Sequence, residues 1–168
     1  MLQIQVTSVK GFMSQLLGSD YFDDFLCVEG EIVTFNTFTF DGFIQKSYYQ
    51  HSENTQNEKT FLADFSTWAD LKDYCFSLIK GQNTPLSFKF VFKLSDGEVA
   101  SFIQKYSLDY SKEDIQGLYL NIRFENQQLK ITTGTSLKTF TLSKDLEEAW
   151  DRELVVIMDK LGLDCELL

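Results

Sequence analysis

The residue types best suited to chemistry in this sequence are one histidine and three cysteines. Histidine titrates near neutral pH, so His51 is a candidate general base or a partner for the Cys27 thiol. However, His51 opens the polar segment 51–59, where an imidazole is usually only solvated, so we do not expect it to be catalytic. Cys27 and Cys75 lie in apolar sequence with no adjacent cation to lower their pKa, which predicts packing. With Cys165 they form an odd set without C-x-x-C spacing, which indicates neither a zinc site nor a disulfide framework.

Two groups of acidic residues offer carboxylate oxygens, the ligands that hard cations prefer. One group is Asp20, Asp23 and Asp24, and the other is Asp109, Glu113 and Asp114 beside a predicted helix cap at Ser111. Neither group has the ligand spacing or the central glycine of an EF-hand loop. Solvation and the ending or capping of helices explain both groups more simply, so we predict no metal site and no cofactor.

The segment TTGTSLKT (132–139) combines hydroxyl groups, a glycine and Lys138, which are ingredients of an anion-binding loop. It lacks the GxxxxGK[ST] order in which backbone amides surround a phosphate ahead of a helix. A strand–turn–strand is the favoured interpretation. The segment remains the best candidate for a small-anion site if the protein is an enzyme.

The charge balance limits the kinds of partner. Among 168 residues, 25 are acidic and 15 are Lys or Arg, which gives a formal net charge of -10. Such a chain repels nucleic-acid phosphates and anionic lipid, so a partner of either kind needs a local basic patch. The N-terminal MLQIQVTSVK has no signal-peptide pattern and no window approaches a membrane span. We expect a single cytoplasmic domain over residues 1–168, without membrane attachment.

Apolar spacing predicts four helices separated by antiparallel strands. The helices are expected from a Thr7 or Ser8 cap to Gly18, from a Ser66 or Thr67 cap to Gly81, after a Ser95–Glu98 capping box, and over 144–161 up to Gly162. Strands are expected at 2–6, at two or three places within 25–49 that include 35–40 and 43–49, at 86–94, on either side of the polar turn ENQQ, and at 137–142, with an irregular tail after them. Asp41-Gly42 predicts a tight turn that pairs 35–40 with 43–49. In the strand 86–94, Phe88 and Phe90 should face the core while Lys89 and Lys93 face solvent.

The order of these elements is β-α-β-β-β-α twice, with pseudo-repeats at about 1–83 and 84–168. This order, with FKFVFKLSDGEVASFIQKY leading to GLYLNIRFENQQLKITTGT, resembles one domain of the sliding DNA clamps. The resemblance implies a clamp-like α+β fold, with antiparallel sheets covered on one side by helices. Clamps line their pore with Lys and Arg. The corresponding helices here offer only Lys10 and Lys105, so direct nucleic-acid binding is not expected.

The chain also resembles an uncharacterised family of small proteins, a domain of unknown function from anaerobic gut Firmicutes. The segments that carry this resemblance are TFNTFTFDG (34–42), TPLSFKFVF (84–92), GLYLNIRFEN (117–126) and GTSLKTFTL (134–142). The resemblance implies a bacterial cytosolic protein and supplies no activity, cofactor or site.

The last predicted helix has a wider apolar surface than packing against its own core requires. Leu146, Trp150, Leu154, Ile157, Met158 and Leu161 already form a core stripe, and Val155 and Val156 extend it. Deeper burial in the same domain explains this extension, and so does an interface with a protein partner or a second copy. The leading hypothesis is a non-enzymatic protein-interaction module. The alternatives are a clamp-like accessory protein of nucleic acid and, third, an enzyme acting on a small anion.

Overall fold

A computed structural model describes residues 1–49 and 63–168. In these residues the chain forms four α-helices, α1 (Val9–Gly18), α2 (Trp68–Ile79), α3 (Asp96–Lys105) and α4 (Asp145–Leu161). The seven strands are β1 (Gln3–Val6), β2 (Leu26–Val33), β3 (Thr37–Asp41), β4 (Ser87–Lys93), β5 (Ile115–Glu125), β6 (Gln128–Leu137) and β7 (Cys165–Leu167). Short 3-10 turns occupy Lys46–Tyr49 and Lys112–Asp114. The predicted α+β class is confirmed.

The strands form one antiparallel sheet in the order β3-β2-β4-β5-β6-β1-β7. The prediction of more than one sheet is wrong for the described residues, because strands from opposite ends of the chain pair directly. Strand β4 lies between β2 and β5, and β1 lies between β6 and β7. The two chain halves are therefore fused through the β2–β4 and β1–β6 ladders.

The sheet buries one face and exposes the other, as period-two alternation requires. On β4, Phe88, Phe90 and Phe92 are buried, whereas Lys89 is exposed. Every helix contributes to the single hydrophobic cluster on the buried face, through Phe12 of α1, Trp68 of α2, Phe102 of α3 and Trp150 of α4 among others. The prediction that the helices cover one side is confirmed.

Two tryptophans tie the helices to this core. The Trp68 indole N–H donates to the carbonyl of Leu16 at 2.8 Å, and its ring centroid lies 5.0 Å from that of Phe92. The Trp150 indole N–H donates to the carbonyl of Tyr119 at 2.8 Å. Both buried indoles thus have hydrogen-bond partners, as buried polar groups require.

Local signals located several element ends correctly. The Ser8 side chain caps α1 by accepting the Gly11 N–H at 3.1 Å. Helix α4 ends at Gly162, whose φ of 65° lies in the left-handed region that favours glycine. The turn between β5 and β6 consists of Asn126 and Gln127, both with positive φ, as a two-residue hairpin turn requires.

The predicted pairing of 35–40 with 43–49 is wrong. Strand β3 pairs back onto β2, with Phe38 opposite Ile32, and residues 46–49 form a 3-10 turn. Gly42 serves a close backbone approach: a Cβ there would lie 1.7 Å from the Cys27 carbonyl oxygen. Glycine is therefore required at residue 42 because the Cys27 backbone is so close, and not because a hairpin turn forms there.

Three further expectations are wrong. Residues 138–142 form no strand, and Phe140 is 90% exposed, whereas the tail forms β7 on β1. The Ser95 side chain makes no capping hydrogen bond to α3, and the capping box occurs at Ser111 and Asp114 instead.

Each half of the chain has the element order β-α-β-β-α, and β7 follows the second half. The clamp-like arrangement is not confirmed: β4 pairs with β5, but its counterpart β1 does not pair with β2.

Candidate functional site

A cavity of about 310 Å³ lies between α3, α4 and the loop that follows α1. Its lining residues are Tyr21, Asp24, Phe25, Leu94, Ser95, Glu98, Ser101, Phe102, Lys105, Trp150, Glu153 and Ile157. Its size falls at the lower end of the range for small-ligand sites, roughly 300–1,000 Å³. It suits a group the size of a single side chain.

Helical spacing explains why these side chains meet. Glu98, Ser101, Phe102 and Lys105 are separated by three or four residues, so they share one face of α3. Trp150, Glu153 and Ile157 do the same on α4. The buried rings of Phe102 and Trp150 meet edge to face, with centroids 5.4 Å apart, and hold the two helices together beneath the cavity.

The central polar group is the half-buried carboxylate of Glu153. Its Oε2 accepts hydrogen bonds from Lys105 Nζ and from the Tyr106 hydroxyl, both at 2.6 Å. Burial and this hydrogen bond raise the pKa of Tyr106 to about 12. Burial also raises the pKa of Tyr21, and the charge of Glu153 adds to that shift.

The charge of the lining is negative. Asp24, Glu98 and Glu153 supply three carboxylates, and Lys105 supplies the one cation among the lining residues. Aromatic faces are also electron-rich and attract cations. Carboxylates above an aromatic floor therefore suit a positively charged ligand group.

In the structure, Asp23 and Asp24 of the first predicted acidic group make different contacts. Asp23 pairs with Lys72 at 2.7 Å, whereas its neighbour Asp24 lines the cavity. In the second group, Asp114 accepts hydrogen bonds from the Ser111 N–H at 2.8 Å and hydroxyl at 2.9 Å, which lower its pKa. Across residues 1–49 and 63–168, no three His, Cys, Asp or Glu residues are grouped as metal ligands.

The three cysteines are free and lie apart from the cavity lining. Cys27 and Cys75 are buried, as predicted, and burial raises the pKa of each thiol to about 12. Cys165 is half-buried, and burial together with neighbouring acidic residues raises its pKa. His51 lies outside the described residues.

The predicted strand–turn–strand over 132–139 is wrong, because residues 132–137 continue β6 without a turn. Gly134 lies inside β6 opposite Tyr119, so its backbone belongs to the sheet. Thr133 is buried and its hydroxyl donates to Asp151. The Lys138 N–H donates to the Asp114 carbonyl at 3.0 Å. The Thr133 hydroxyl and the Gly134 backbone are thus used within the fold, whereas Thr135, Ser136 and Thr139 line a separate, open cavity of about 440 Å³.

The two valines of the predicted interface lie on different sides of α4. Val155 is 37% exposed, but residues 151, 152 and 159, which adjoin it on the helix, are charged. Val156 is half-buried and follows Glu153 by three residues, so it lies beside the cavity rim. The interface itself remains a prediction.

Sequence reasoning missed the cavity as a site. Each helix face was predicted, but the approach of Lys105 and Tyr106 to Glu153 depends on how α3 and α4 lie over the sheet. The usable signal was the pair of charged residues Glu98 and Lys105, which are seven residues apart and therefore lie on the same side of the apolar stripe of α3.

A comparison with protein-family models matches residues 15–166 to the family of unknown function DUF5721. No curated protein sequence and no solved structure matches the chain. Within the described residues, every helix is too short or too polar to span a bilayer.

Proposed function

The chain belongs to the family of unknown function DUF5721, and from that premise we propose that it is a non-enzymatic, cytoplasmic protein-interaction module. In this proposal the cavity between α3 and α4 receives a cationic side chain, arginine or lysine, from a partner protein. The observation that carries the proposal is the convergence of Asp24, Glu98 and Glu153 on an aromatic-floored cavity.

Charge supports a basic partner. The net charge of -10 attracts a basic protein at long range, and the lining carboxylates provide the short-range counterpart. Lys105 already donates a hydrogen bond to the Glu153 carboxylate. Asp24 and Glu98 at the rim are therefore the carboxylates that an incoming cation meets. Electrostatic complementarity of this kind contributes mainly to specificity and association rate.

The lining supports binding rather than catalysis. Its hydroxyl groups are those of Tyr21, Ser95 and Ser101, and it contains neither histidine nor cysteine. The raised pKa values of Tyr21 and Tyr106 keep both phenols protonated at neutral pH, which makes them hydrogen-bond donors rather than bases.

Val156 extends the proposed interface from the cavity onto α4. Its half-exposed side chain adjoins Glu153 on the helix, so a partner that inserts a cation can also cover this valine. The partner is a different, basic protein. A second copy is the alternative, and a measurement of molar mass in solution distinguishes the two.

The test is the affinity of a labelled arginine-containing peptide for the protein at low ionic strength. Glu98→Gln and Asp24→Asn should each weaken binding about twofold to fivefold, the range of one partly exposed ion pair. Glu113→Gln removes an equal charge in the 3-10 turn before β5 and serves as the matched control. A peptide with citrulline in place of arginine should bind more weakly. Equal loss in all three variants, or equal binding of both peptides, would contradict the proposal.

A further inference from the structure

A second charged surface lies on the open face of the sheet, away from the helices. Lys89 of β4 is directly opposite Arg123 of β5, which is directly opposite Lys130 of β6. These three residues form a continuous line across the central strands, here called the basic row. Lys93 lies four residues beyond Lys89 on the same face of β4, about 13 Å along the strand.

The arrangement is unfavourable in the isolated chain. Like charges directly opposite each other in a sheet destabilise the pairing. Glu29 pairs with Lys89 at 2.8 Å and Glu125 pairs with Arg123 at 2.9 Å, which offsets part of the repulsion. Among the described residues, Lys130 and Lys93 have no ion-pair partner. Three of the 15 Lys and Arg residues of an acidic chain thus lie in one row.

The row has defined ends. Continuing the same register, Glu31 of β2 lies beyond Lys89, and Gln5 of β1 followed by Glu166 of β7 lies beyond Lys130. With strands about 4.8 Å apart, the three cations extend over roughly 10 Å. This length matches two or three carboxylates and is short for a longer polyanion.

We propose that the basic row is the docking surface for an acidic segment of a partner protein. Charge complementarity identifies the occupant: the row supplies unpaired and partly paired cations, and side-chain carboxylates are the counter-charges that fit its length. A nucleic-acid strand fits less well, because its phosphates continue past the ends of the row towards Glu31 and Glu166, whereas a short acidic segment can end within the row. Stacking of bases also needs aromatic platforms, and Tyr119 is the one half-exposed ring on the described central strands of this face.

The experiment measures fluorescence anisotropy of a labelled oligo-glutamate peptide with the full chain at low salt. The double variant Lys89→Gln/Lys130→Gln should weaken binding about threefold to tenfold, as the loss of two exposed ion pairs implies. The matched control is Lys112→Gln/Lys160→Gln, which removes the same charge from the 3-10 turn before β5 and from the end of α4. A second arm uses a single-stranded DNA oligonucleotide of equal charge.

Selective loss in the first double variant, with tighter binding of the peptide than of DNA, supports the proposal. Failure of the peptide to bind, equal loss in both double variants, or tighter binding of DNA overturns it. Stability provides an independent check on the variants. Since Lys130→Gln relieves a like-charge contact, its urea midpoint should match or exceed that of the parent protein. A lower midpoint would contradict the repulsion on which the proposal rests.

Discussion

Glu153 accepts a hydrogen bond from the Tyr106 hydroxyl at 2.6 Å and thereby joins α4 to the residue that ends α3. Both side chains are half-buried, and the same carboxylate oxygen also accepts from Lys105. This contact fixes the separation of the two helices that wall the cavity. The first two predictions concern this contact.

Tyr106→Phe should lower the free energy of unfolding by about 1 kcal/mol, because it removes a hydrogen bond to a charged group while leaving the ring packed on Phe102. Urea denaturation measures the change. Tyr110→Phe removes a hydroxyl from another half-buried tyrosine, one without a hydrogen bond to residues 1–49 or 63–168, and should change stability little. Equal losses in the two variants would contradict the assigned role of Tyr106.

Alkaline pH should weaken the same contact. The folded-state pKa of Tyr106 is about 12 against an ordinary 10.0, so the folded chain holds this proton more tightly than the unfolded chain does. Its contribution to stability is complete below about pH 10 and is lost as pH rises towards about 12. Ultraviolet titration should show one late-ionising phenol fewer in Tyr106→Phe. An unchanged late phase would show that another residue is responsible.

Thiol reactivity should follow burial. Cys165 is half-buried at the sheet edge, whereas Cys27 and Cys75 are buried with pKa values of about 12. Iodoacetamide followed by peptide mass spectrometry should therefore label Cys165 first in the native protein. Labelling of the other two should require unfolding. Rapid native-state labelling of Cys75 would contradict its buried position on α2.

Gly42→Ala should destabilise the protein by about 3 kcal/mol, near the upper end for overpacking, because the new methyl group would collide with the Cys27 carbonyl oxygen. Gly97→Ala is the matched control. It lies in the first turn of α3, where a Cβ meets no atom within 4 Å, and it should be neutral or stabilising. Thermal denaturation compares the two. A neutral Gly42→Ala would contradict the close approach of β2 and residue 42.

The parts of the fold that the sequence predicted are those decided by neighbours in the chain. Ser8 as a cap, Gly162 as a stop and the alternation of β4 all depend on a few adjacent residues. Which strands pair with each other, in contrast, does not depend on adjacent residues alone. Residues 35–40 could pair with the hydrophobic segment before them or with the one after them. They pair with the segment before them, β2, through the turn at residues 34–36, and the Asp41-Gly42 signal does not produce a hairpin.

The site was less predictable than the elements for the same reason. The Glu153–Tyr106 contact joins residues 47 positions apart, and Asp24 reaches the cavity from the loop after α1. The helical period and the capping residues show on which face of a helix each side chain lies. They do not set the distance between the faces of two different helices. The alternation of Lys89 and Lys93 was visible in the sequence, whereas their alignment with Arg123 and Lys130 required the register of three strands.

The central claim, that the cavity binds a cationic side chain, is tested most directly by titrating the protein with an arginine-containing peptide and following amide and indole N–H resonances by two-dimensional NMR. The account predicts shifts concentrated at the α3 and α4 residues that line the cavity, including the Trp150 indole, and in Glu98→Gln the same shifts only at about twofold to fivefold higher peptide concentration. Shifts confined to other surfaces, or no shift at concentrations where the peptide binds, would contradict it.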